Sequence, residues 1–128
     1  MGRITALYAG LNALIMLVLA LNVVRGRWRA KAGIGDGGDT TLGRAIRAHG
    51  NNTEYVPILL LLLLGLEFGA WPAWLLHAFG IAVTAGRVTH GIGLNRSSGT
   101  SPGRAIGMLT AWIAMLIGAV LNIWRFTA

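Results

Sequence analysis

The segment RAHGNNTEYVP, residues 47–57, concentrates groups that could do chemistry. Read as a helix, Arg44, Arg47, Asn51 and Glu54 follow one another at spacings of 3, 4 and 3, with Tyr55 next to the last. That spacing puts the four on one stripe and Tyr55 at its edge. The stripe offers guanidinium forks, an amide and a carboxylate. A guanidinium grips a carboxylate at two points. A carboxylate grips an ammonium, and an amide serves either. Such a set can hold a small zwitterion. It can equally be structural, with Arg47 and Glu54 neutralising each other inside a bundle.

Further along, Arg87 and His90 are three residues apart and share a helical face. For Arg87 alone, the simpler expectation is an arginine that snorkels from a helix end to water. His77 stands alone in an apolar run and reads as an interhelical hydrogen-bonding group. His49, His77 and His90 lack the spacing of a zinc site, so no metal is expected. Glu67 reads as a cap at a membrane boundary. Arg104 opens the last apolar run, where a cation opposes the helix macrodipole. That local cost points to a use elsewhere. The chain has no cysteine, so sulfur chemistry here requires a sulfur carried by a ligand.

The elements that must position these groups are apolar. Of 128 residues, 55% are hydrophobic and only 12% charged, against roughly 25% charged in soluble domains. Mean hydropathy is +0.64. These values indicate a polytopic membrane protein, all-α, with four transmembrane helices in a single 1–128 domain. The helices are expected at about 4–26, 41–67, 71–92 and 103–125. The first is read as a retained span, because its apolar run exceeds the roughly 7–15 residues of a signal-peptide core. The second is informative. Val56–Leu66 is too short to cross a bilayer, since about 20 residues are needed. It must therefore extend back to about Arg44, which carries Arg47, Asn51 and Glu54 to the membrane boundary or inside it. Polar groups there normally face a bundle interior or a wet cavity.

Between the spans lie a Gly-rich basic loop (25–41), a tight turn near Trp71, and a third loop from Gly91 to Gly103. GDGG at 35–38 has turn chemistry, and Asp39, Thr40 or Thr41 can cap the second helix. The net charge of +7 resides mostly in loops one and three. That is membrane topology, not a nucleic-acid-binding face. It places those loops in the cytoplasm and both termini outside. Trp71, Trp74 and Trp124 fit an aromatic belt on the outer side and Trp28 one on the inner side. Trp112 is deeper and reads as packing. Gly107, Ala111, Ala114 and Gly118 form a small-residue face on the fourth helix, and Ala78, Ala82 and Ala85 on the third. Such faces allow close packing within or between subunits.

With these residues in view, the chain resembles the MAPEG family, the membrane-associated proteins of eicosanoid and glutathione metabolism, over nearly its whole length. RAHGNNTEYVP looks like the family's helix-two motif of Arg, Asn, Glu, Tyr and Pro. GDGG at 35–38, AIRAHGN at 45–51 and EYVP at 54–57 are similar to the bacterial branch, and GRVTHGIG at 86–93 to the helix-three motif. The resemblance implies a homotrimer in the bacterial inner membrane, with sites between subunits that open to the cytoplasm. It implies that glutathione is the co-substrate, bound by Arg47, His49, Asn51, Glu54, Tyr55, Arg87 and His90. An arginine at the end of helix one joins them; of Arg25, Arg27 and Arg29, Arg25 is the one assigned. It implies that Arg104 is catalytic and stabilises the glutathione thiolate. Leu94 stands where some eicosanoid-synthesising members carry tyrosine, which argues against an eicosanoid substrate.

The expected activity is a glutathione transferase whose thiolate attacks a lipophilic electrophile or hydroperoxide that arrives from the membrane. The alternative is a non-enzymatic lipid- or glutathione-binding member of the same family. A small transporter or channel would need a polar stripe through all four spans, and the fourth has no charge between Ala105 and Trp124.

Overall fold

Long apolar runs broken by Gly-rich or Pro-containing turns fold as four helices. The computed structural model describes residues 2–97 and 99–127; Ser98 of the third loop lies outside them. The helices are α1 (Arg3–Ala30), α2 (Thr40–Phe68), α3 (Ala73–Arg96) and α4 (Pro102–Thr127). α1 and α4 are long and apolar enough to cross a membrane, by length and composition. α2 and α3 pack against each other and against both neighbours, whereas α1 and α4 do not touch among the described residues. The α2–α3 pair therefore forms the centre, and α1 and α4 flank it.

Two helices run further than expected. α1 continues through the basic segment to Ala30, because Arg27 and Arg29 in its last turn complement the negative end of the macrodipole. α3 continues through Gly91 and Gly93 to Arg96. Gly93 is buried against α4, where an added Cβ would lie 2.7 Å from the Arg104 amide nitrogen. The glycines there serve helix packing instead of ending the helix.

Local signals set the other ends. Asp39 caps α2, its Oδ1 accepting from the amides of Thr41 (2.8 Å) and Leu42 (3.1 Å). The Leu42 amide foremost, with the Thr41 amide and the Arg29 guanidinium, holds the Asp39 carboxyl below the usual carboxylate value. Gly35, Gly37 and Gly38 adopt positive φ in the turn before it, a conformation that costs glycine little.

At the opposite end of the bundle, Glu67 reaches across from α2. Its Oε1 accepts from the Ile4 amide (3.2 Å), and its Oε2 from the Thr5 amide (2.8 Å) and the Thr5 hydroxyl (2.7 Å). The expected cap is thus a cap on a different helix. It satisfies otherwise orphaned amides at the positive end of α1. The Trp71 and Trp124 rings meet nearby at a tilt of 48°, with centroids 5.4 Å apart.

The main core occupies this half of the bundle. Tyr8, Leu59, Leu63, Leu66, Phe79 and Ala114 pack there. Two polar contacts tie α1 to α3 along the seam. The Tyr8 hydroxyl and His77 Nδ1 share a 2.9 Å hydrogen bond, which is the interhelical role expected of His77. Asn12 Nδ2 donates to Thr84 Oγ1 at 3.0 Å. In the basic half the buried apolar cluster is smaller, made of Leu19, Ala48 and Leu94.

Glu67→Ala removes the acceptor of three donors on α1. It should lower the stability of the detergent-solubilised protein by about 1 kcal/mol, as for other lost helix caps, while Glu67→Gln should lose less. Denaturation by titrated ionic detergent, followed by circular dichroism, checks both.

Candidate functional site

The sequence stripe on α2 divides when the helix packs. Asn51 turns inward and is 5% exposed. Arg47 and Glu54 stay outside and pair with each other through two bonds, NH1 to Oε1 at 2.9 Å and NH2 to Oε2 at 3.3 Å. Their side chains are 59% and 50% exposed. The neutralising pair is real, but it lies on the outer face of the monomer and not inside the bundle. His49 is half-buried on the same helix, and its carbonyl accepts the Thr53 hydroxyl.

Arg87 does not snorkel. It is 2% exposed and is among the largest fully buried side chains. Its NH1 donates to Asn51 Oδ1 at 3.0 Å, and its NH2 donates to the Gly107 carbonyl at 2.6 Å. The Tyr55 ring lies over the guanidinium, 5.5 Å from its central carbon, a cation–π distance. A charge taken out of water needs such partners. Here one arginine on α3 finds them on both α2 and α4, so the inward course is favoured over water at the helix end.

α4 can approach because the seam is made of glycines. A Cβ on Gly107 would lie 2.6 Å from His90 Cβ, and Gly86 and Gly93 face the same seam from α3. The small-residue face of α4 is thus used within the monomer: Gly107, Ala111, Ala114 and Gly118 are its buried residues. The matching alanines of α3 do not share that fate, since Ala78 and Ala85 are exposed. Gly86 and Gly93 were the residues that sequence reading missed. Their signal was present, as two glycines seven apart fall on one helical face.

His90 is buried beside this seam. Its Nδ1 is 3.1 Å from the Arg104 carbonyl, so Nδ1–H donates and a neutral ring leaves Nε2 as the acceptor. Nε2 is buried without a partner among the described residues. The Arg104 side chain turns back to the Gly99 carbonyl of the third loop, and its amide lies near Ser101 Oγ (3.4 Å). On the outer face Trp112 is not buried packing. It is exposed on α4 and donates from Nε1 to the Tyr55 hydroxyl at 3.2 Å.

The fold therefore brings together Asn51, Tyr55, Arg87, His90 and the start of α4, with Arg47 and Glu54 on the adjoining surface. Arg25 lies on the other side of α2 from the Arg47–Glu54 pair, in a groove between α1, α2 and α3 whose α2 wall is Thr41, Leu42 and Ala45; Arg87 lines the same groove. Among the described residues no group of three or more His, Asp or Glu could hold a metal ion.

The pattern matches the sequence profile of the MAPEG family over residues 5–124. The protein belongs to the MAPEG family. It is also similar to the inner membrane protein YecN of Escherichia coli K12, with 38% identity over 121 residues, covering 94% of this chain and 91% of that one. The same-named protein of E. coli O6:H1 (strain CFT073) matches equally. As a MAPEG protein with apolar flanking helices and an inner-membrane relative, this chain is an integral inner-membrane four-helix bundle. The relative's name carries no activity. The motif that suggested the family is the one whose inward members clamp α2, α3 and α4.

Asn51→Ala would leave Arg87 NH1 without an acceptor, a loss of roughly 1–3 kcal/mol for a buried donor. Gly107→Ala should cost a similar amount, about 1–3 kcal/mol, by overpacking the seam. Thermal unfolding in detergent should show both, and an unchanged midpoint for Gly107→Ala would mean that α4 sits further from α3.

Proposed function

We propose that this MAPEG protein is a membrane-bound glutathione transferase. The observation that carries the reading is the exposed Arg47–Glu54 pair on α2 beside the buried Arg87–Asn51 contact, at the same end of the bundle as His90. The pair presents a guanidinium and a carboxylate to one small ligand. Glutathione supplies two carboxylates, an ammonium and a thiol. The outer Arg47–Glu54 pair offers a fork for a carboxylate and a carboxylate for the ammonium, once the two exchange each other for the ligand. His90 Nε2 offers an acceptor at the inner edge.

The chemistry assigned to the chain is thiol activation. A thiol has a pKa of about 8.5, and only its thiolate is a strong nucleophile. A permanently protonated Arg104 lowers that pKa through charge alone, and the released proton goes to solvent. The thiolate sulfur then forms a bond to an electrophilic carbon. The displaced electron pair leaves with the departing group, or moves onto a neighbouring atom that takes up a proton. A hydroperoxide is the other acceptor: the sulfur attacks the terminal oxygen, the O–O bond breaks and an alcohol leaves. A second glutathione then converts the oxidised sulfur to the disulfide with loss of water. Holding both reactants in one cleft contributes proximity.

The exposed apolar surface of α4, including Leu109, Trp112, Ile113 and Leu116, adjoins Tyr55 and supports a lipophilic second substrate. It also supports a homotrimer in which a neighbour covers the Arg47–Glu54 face. The positive balance of loops one and three favours a cytoplasmic opening with both termini on the other side.

Ultraviolet difference spectroscopy of the purified protein with glutathione tests the reading. A thiolate band near neutral pH is expected. Arg104→Ala should remove the band, keep glutathione binding by calorimetry, and lower kcat by about 100-fold, as for other electrostatic stabilisers. Equal thiolate in both proteins would remove Arg104 from its role. Binding without any band would favour a glutathione-binding member that has no transferase activity.

A further inference from the structure

Helix α4 meets the buried Arg87–Asn51 pair at two consecutive residues. The Gly107 carbonyl accepts from Arg87 NH2 at 2.6 Å. The Met108 thioether accepts from Asn51 Nδ2 at 3.6 Å, an ordinary length for a donor on sulfur, whose radius exceeds that of oxygen. Arg87 NH1 donates to Asn51 Oδ1 at 3.0 Å. These contacts close a ring through α2, α3 and α4. It runs from guanidinium to amide, from amide to thioether, one residue back to the Gly107 carbonyl, and from there to the guanidinium again.

A carboxamide accepts at one end and donates at the other, and the two ends are nearly alike in shape. Asn51 is buried, so its protein partners decide which end faces Arg87. A guanidinium can only donate, so Arg87 requires Oδ1. That leaves Nδ2 in an interior where an unpaired donor is costly, and Met108 Sδ is its acceptor. Met108 is half-buried between the exposed Leu109 and Trp112. A carbonyl or hydroxyl turned towards hydrocarbon there would be expensive. A thioether is apolar enough for that face and polar enough for one N–H. The pairing recurs on α1, where Met16 Sδ lies 3.8 Å from Asn52 Nδ2. Met115, by contrast, packs against the apolar core.

We infer that Met108 is a positioning residue of the candidate site: its sulfur keeps the Asn51 amide in the orientation that faces Oδ1 to Arg87. Without the sulfur, Nδ2 is unpaired in this conformation, and the amide gains by turning to another acceptor. Such a turn draws Oδ1 off Arg87 and frees the guanidinium from α2. Met108 touches no ligand in this role. It acts on glutathione only through Asn51 and Arg87, so the role rests on the glutathione reading above.

Calorimetry with glutathione, and steady-state kinetics with glutathione and chlorodinitrobenzene, test the role on the full-length protein in detergent. Met108→Leu keeps the volume and removes the acceptor. It should weaken glutathione binding roughly fivefold, the worth of one hydrogen bond, and raise KM with kcat unchanged. Met108→Gln returns an acceptor oxygen at similar length and should recover the wild-type Kd, even where it lowers Tm. Met115→Leu should change neither constant. Wild-type affinity in Met108→Leu would overturn the role. So would Met108→Gln binding as poorly as Met108→Leu, since position 108 would then matter for packing alone. If the wild-type protein binds no glutathione, the glutathione reading itself fails, and thermal unfolding decides the contact on its own. Met108→Leu should then lower Tm in the wild-type background and not in Asn51→Ala. An equal loss in both backgrounds would overturn the link between Met108 and Asn51.

Discussion

The basic half of the structure depends on one buried guanidinium. Arg87 cannot reach water, and an unpartnered charge in a low-dielectric interior is prohibitively unfavourable. Asn51 on α2 and the Gly107 carbonyl on α4 supply its acceptors, and the Tyr55 ring covers it. Three helices are thereby held at one fixed spacing. In a bilayer, where apolar contact between helices gives little net drive, such polar contacts and close small-residue seams decide how helices associate. The glycines at 86, 93 and 107 are the counterpart of that clamp. They let a backbone carbonyl come close enough to accept from a side chain.

The two ends of the bundle are built on different principles. One end is sealed by packing: leucines of α2 and Phe79 fill it, Glu67 closes the start of α1, and the Trp71 ring meets Trp124 at a tilt. The other is held mainly by polar contacts and leaves space between α1 and α3. The candidate site lies at the second end, and apolar packing is concentrated away from it. The polar clamp keeps the open end in register without closing it.

The outward face of α2 and α4 gains its meaning from the same division. Asn51 is spent on the clamp, whereas Arg47 and Glu54 neutralise each other at the surface. An exposed ion pair contributes little to stability and can be opened by a ligand that carries both charges. Tyr55 joins the two layers, with its ring over Arg87 and its hydroxyl accepting from Trp112.

The sequence by itself determined the class, the four helices and the run of polar residue types that α2 carries. Hydropathy and turn residues are local properties, and a motif such as RAHGNNTEYVP carries its residue types wherever it folds. A capping role for Glu67, an interhelical hydrogen bond for His77 and a cap among Asp39, Thr40 and Thr41 were legible for the same reason, but the choice of Asp39 and the helix that Glu67 caps were not. Tertiary structure alone decided which members of the stripe point inward. Helical spacing places Arg47, Asn51 and Glu54 on one side of α2, but only the positions of α3 and α4 separate the buried amide from the exposed pair. It also decided that Arg87 is buried and that α1 and α3 run a turn past their expected ends. The groove beside Arg25 likewise arises from the packing of three helices and has no trace in any one of them. An orientation about a helix axis and an empty volume are relations between elements, and no local pattern of residues encodes them.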